Sequence, residues 1–112
     1  MADPLQGEES LGRVLNALVL ANDLQDRNAS VKLFFQGTGT RWVNLLEKED
    51  HPGHALYKSL NKCTQGASSA CAEVFKANIT TIPLLKEYKI EGLGNVSSLA
   101  GAMAEGYELV TF

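Results

Sequence analysis

The sequence predicts an α/β fold built on a mostly parallel sheet, and three observations carry that prediction. A long amphipathic helix comes early, a short and nearly all-apolar strand follows it, and a glycine-rich turn closes the strand. Val31, Leu33, Phe34 and Phe35, broken only by Lys32, leave the strand no solvent side. That is the pattern of a parallel sheet covered on both faces.

Residues 1–7 are polar, hold Pro4 and Gly7, and read as a lead-in. Glu8 and Glu9 then complement the positive end of a helix dipole. Leu11, Val14, Leu15, Leu18 and Val19 recur at helical spacing, extended by Ala21, Asn22 and Leu24. They predict a helix over about residues 8–27, with a broad apolar stripe suited to packing on a sheet. After the strand, Gly37, Thr38, Gly39 and Thr40 make a tight strand-to-helix turn. No third glycine follows to complete a dinucleotide fingerprint.

Residues 41–46 open a second helix, which His51, Pro52 and Gly53 break. Pro52 is suited to the first position of another helical piece through Leu56, Tyr57 and Leu60. Residues 61–67 carry almost no strand character. Gly66 and a run of small residues lead into Ser68, Ser69 and Cys71. Ser68 or Ser69 serves as N-cap, and either choice puts Cys71 in the first turn of a helix. The dipole there favours a thiolate, which is a nucleophile or a sulfur carrier. The same position also suits a small packed residue. This helix is expected to run to about residue 77 and to bury Val74 and Phe75. Ile82 and Pro83 then start a helical turn through Leu84, Leu85 and Tyr88, and Gly92 and Gly94 loosen the chain. Residues 95–98 offer caps for a helix carrying Val96, Leu99, Ala102 and Met103, which Gly106 ends. Residues 107–112 read as a final strand.

A chain of 112 residues is expected to form one domain over residues 1–112. A formal charge of −3 and the lack of any Lys/Arg cluster argue against nucleic-acid binding. Cys63 and Cys71 make neither a disulfide framework nor a zinc set. His51 and His54 straddle Pro52 and Gly53 with no third ligand, so no metal site and no cofactor are expected. No apolar run is long enough for a membrane span, and no export leader opens the sequence. A cytoplasmic location is the expectation. The two histidines and scattered carboxylates form no catalytic triad or carboxylate pair.

Four stretches carry a likeness to a known family: residues 13–18 with the helix around them, 31–42, 66–75 and 105–112. In their order and spacing they resemble the DsrE family of the sulfur-relay superfamily. The resemblance implies a three-layer α/β/α domain around a mostly parallel sheet, and a homotrimer or a larger ring such as a hexamer. It also implies that active members carry sulfur as a cysteine persulfide and pass it to relay partner proteins. Relatives often read Gly-Ala-Cys-x-x-Cys-Ala where this chain has Ser68 and Cys71. Cys71 matches the second cysteine, and Ser68 stands at the first, the sulfur-carrying position. Serine cannot carry sulfane sulfur, which leaves Cys71 as candidate carrier and Cys63 as the other thiol.

Family members also begin with a short apolar strand, usually the central one, that residues 1–7 do not supply. The sheet is therefore expected to lack its first strand and to leave unpaired edges, which makes a partner strand from oligomerisation or swapping an expectation. The loops holding Gly37, Thr38, Gly39 and Trp42 and holding Ser68, Ser69 and Cys71 should meet at one end of the sheet, where ligands bind in such folds. Two functions follow: a sulfur carrier acting through Cys71, or a non-catalytic oligomeric binding module that kept the fold and lost the relay cysteine.

Overall fold

The apolar stripe folds as its spacing dictates. In the computed structural model, which describes residues 2–112, helix α1 spans Glu8–Asp26 and buries Val14, Leu18 and Ala21. Glu8 and Glu9 occupy its first turn, where their charge offsets the dipole. Asn28 follows with φ 61, a left-handed turn that asparagine tolerates better than most residues. The chain then enters strand β1, Leu33–Phe35. A 3-10 turn, Gly37–Arg41, leads into α2, Trp42–Leu46, and α3, His54–Ser59, follows the Pro52–Gly53 break.

Strand β2, Thr64–Ser68, corrects the expectation that residues 61–67 hold no strand. Its residues are polar or small, so intrinsic propensity gives no signal. Pairing on both sides makes it a strand, in keeping with the context dependence of β structure. It lies at the centre of a parallel sheet ordered β1, β2, β3, where β3 is Leu84–Leu85. Leu33 pairs with Thr64, Phe34 with Gly66 and Phe35 with Ala67, while Ala67 also pairs with Leu84. Gly66 has φ +147, and a Cβ there would sit 2.3 Å from the Pro83 carbonyl oxygen. Only glycine lets the two backbones approach this closely.

Residues 82–88 do not form the expected helical turn. The Pro83 carbonyl accepts from the Ala67 amide at 3.0 Å, which draws the segment into the sheet. Strand β4, Tyr88–Ile90, then pairs antiparallel with β5, Gly94–Val96, in a separate hairpin. Val96 is therefore a strand residue. The last helix, α5, spans Leu99–Ala104, capped by Ser98 Oγ accepting from the Gly101 amide at 3.1 Å. Gly106, at φ +100, ends it as expected.

Three further expectations are revised. Helix α4 spans only Ser69–Val74, because Lys76 turns left-handed at φ 57 and ends it. Val74 is exposed and Phe75 half-buried, with the Arg41 guanidinium over the Phe75 ring. Residues 107–112 belong to neither sheet, although their composition favours a strand. Tyr107 is held by its hydroxyl to Ser30 Oγ at 2.6 Å and by its amide to the Ala102 carbonyl.

Among the described residues no strand precedes α1, and a 3-10 turn, Pro4–Gln6, stands there instead. The α/β class with a parallel sheet thus holds, and β1 is an edge strand. The core gathers Leu18, Phe35, Val43, Leu46, Tyr57 and Leu60 between α1, the sheet and α2–α3.

Candidate functional site

Two regions compete for the functional site. The first is the carboxyl end of the parallel sheet. There the Gly37–Arg41 turn after β1 and helix α4 after β2 pack against each other, as the strand directions require. Thr40 Oγ1 donates to the Gly37 carbonyl at 2.8 Å and fixes the turn. Gly37 and Thr38 are half-buried and Gly39 is buried. Gln36 Nε2 donates to Ser97 Oγ at 2.6 Å, tying the end of β1 to the segment before α5.

Trp42 does not wall a pocket at this end. Its side chain is 2 % exposed, its Nε1 donates to the Ala2 carbonyl at 2.9 Å, and its ring meets His51 edge-on. It is a core residue whose polar edge anchors the N-terminal segment. Arg41 reinforces that anchor by reaching Asp3 at 3.2 Å and the Phe75 carbonyl from Nε.

Ser68 stands at the N-cap position of α4, yet its hydroxyl makes no capping bond and has no partner in a fully buried setting. Ser69 is half-buried, and Cys71 lies in the first turn of α4, partly exposed. Cys63 is buried, its Sγ donates to the Leu60 carbonyl at 3.3 Å, and burial pushes its thiol up from the ordinary value. A protonated, enclosed thiol is a poor nucleophile.

His51 Nδ1 accepts from the Gly53 amide at 3.0 Å, and His54 Nδ1 lies 2.8 Å from the Leu46 carbonyl. Both rings fasten the loop between α2 and α3. No group of three metal-ligating side chains occurs among the described residues. The described helices include none long and apolar enough to cross a membrane.

The second region is a groove of about 250 Å³ along the open edge of β1. Leu18 and Ala21 of α1, Leu33 and Phe34 of β1, Ala102 of α5 and Val110 of the tail are among its lining residues. Large apolar side chains also stand exposed beside it, with Leu24 at 37 %, Leu109 at 49 % and Val110 at 61 %. Exposed apolar surface gathered around a concavity marks a binding or interaction site. The candidate residues read from the sequence missed this groove. Two signals pointed towards it: an α1 stripe wider than the core needs, and a sheet expected to lack a strand.

Comparison with protein-family models, curated proteins and solved structures gives no match to this chain.

Proposed function

We propose that this chain is a DsrE-like protein that works as a non-catalytic binding module and takes an apolar ligand in the groove beside β1. The observation that carries this reading is the groove itself, an apolar concavity at an open strand edge. Ser68 supports it, because the residue at the relay position is a hydroxyl that is 1 % exposed. No group of three metal-ligating side chains accompanies it among the described residues. A homotrimeric or hexameric assembly belongs to the same proposal and rests on the family resemblance; a cytoplasmic location belongs to it too and is in keeping with two free thiols.

The test is a titration with 1-anilinonaphthalene-8-sulfonate, a dye that brightens in apolar sites. Saturable binding by the native chain, weakened at least tenfold in Ala17→Phe, is the expected result, since Ala17 lines the groove. Equal binding by a correctly folded Ala17→Phe chain would overturn the reading.

A second reading, sulfur carriage, is favoured by the partial exposure of Cys71. Its step is an exchange without net oxidation. The Cys71 thiolate attacks the terminal sulfur of a donor persulfide, a new S–S bond forms, and the donor leaves as thiolate. Intact-mass spectrometry after incubation with glutathione persulfide decides it. A sulfur-sized gain absent only from Cys71→Ser would establish a carrier, and no gain on the native chain would exclude one.

A further inference from the structure

We infer that the ligand of the groove is a β-strand, supplied as an uncharged apolar segment of a partner polypeptide and paired with the open edge of β1. This rests on the binding reading above and adds the class of ligand. Among the described residues β1 pairs with β2 alone, so one side of its backbone offers N–H and C=O groups with no strand neighbour there. Such an edge is a template for strand addition.

The shape of the cavity agrees with that template. Leu33, Phe34 and Phe35 are consecutive, so their side chains alternate between the two faces of the sheet. All three nevertheless line the groove. A cavity over one face would meet alternate residues, whereas a cavity that continues the sheet plane past its edge meets every one. Helices α1 and α5, residues 107–112, Ala2 and the residues flanking β1 contribute the rest of the lining. The space lies where the next strand of a parallel sheet would run.

Charge narrows the occupant further. Lys32 and Glu108 are the charged side chains of the lining. Lys32 is already paired with Glu105 at 3.0 Å, and Glu108 is exposed. A charged segment would lose hydration against Val14, Leu18 and Phe35, and Glu108, exposed to water, would offset little of that loss. A hydrocarbon ligand would fit the walls but leave the backbone groups of β1 unanswered. A neutral apolar strand answers both demands.

The experiment uses a fluorescein-labelled six-residue peptide of alternating valine and isoleucine, flanked by solubilising serines, and reads anisotropy. Saturable binding to the native chain is expected, with at least a tenfold loss when alternate peptide nitrogens are methylated to remove the donors that pair with β1. Ala17→Phe is expected to bind at least tenfold more weakly. If the dye binds the groove but the peptide does not, or the methylated peptide binds equally well, the strand inference is overturned while the binding reading stands. If neither dye nor peptide binds, both fail. Light scattering that reveals a dimer whose formation blocks the peptide would assign the groove to a second copy and overturn a separate partner.

Discussion

Gly66 is the residue on which the sheet most depends. Its missing side chain lets β2 meet the Pro83 carbonyl, and any Cβ would collide with backbone that cannot swing aside. Gly66→Ala is expected to cost about 2 kcal/mol or more in urea unfolding, the range for a strained backbone position in a packed sheet. Two positions away, Ser68 keeps a buried hydroxyl without a partner. Ser68→Ala removes a desolvated polar group, so it should be neutral or stabilise by up to about 1 kcal/mol in the same measurement. A loss of stability would mean that the hydroxyl is satisfied.

Titration tests the core at the same scale. Burial, with the Glu47 carboxylate beside it, raises the Tyr57 phenol above its ordinary value of 10.0. The folded chain therefore holds that proton more tightly than the unfolded one. Stability from this group is complete below pH 10.0 and is lost as the pH rises further. Tyr57→Phe should flatten the alkaline limb of a stability-against-pH curve relative to the native chain. An unchanged limb would contradict the burial that the structure gives Tyr57.

At the scale of elements, legibility followed the source of each element's stability. Helix α1, strand β1, the turn at Gly37–Arg41 and the Ser98 cap of α5 are written in local periodicity and local hydrogen-bonding chemistry. Strands β2 and β3 are not, because Thr64 and Gly66 become strand only by pairing with β1, and Ala67 by pairing with both β1 and β3. Residues 107–112 show the converse, a strand-like composition with no strand beside it. They line the groove beside β1 instead. Truncating the chain after Gly106 should strip one wall from the groove and lower dye affinity several-fold. The β1–β2–β3 pairing, followed by amide exchange, should stay intact. Exchange rising throughout the sheet would instead make the tail a structural strut.

Across the whole molecule, the chemistry-bearing residues and the open apolar surface occupy different places. The sequence draws attention to Cys71, Ser68 and the glycine turn, and the fold does bring their loops together at the carboxyl end of the sheet. Ser68 and Trp42 are nevertheless buried there, and the accessible apolar surface lies along the edge of β1. Side-chain burial was legible only in part: Trp42, expected among the binding residues beside the glycine turn, belongs to the core.

The most direct measurement of the binding account is a map of amide chemical-shift changes on isotope-labelled protein during the dye titration. The account predicts changes clustered in α1, β1, α5 and residues 107–112, with α4 and the Gly37–Arg41 turn unmoved. Changes centred on Cys71 and that turn would contradict it and return the site to the carboxyl end of the sheet.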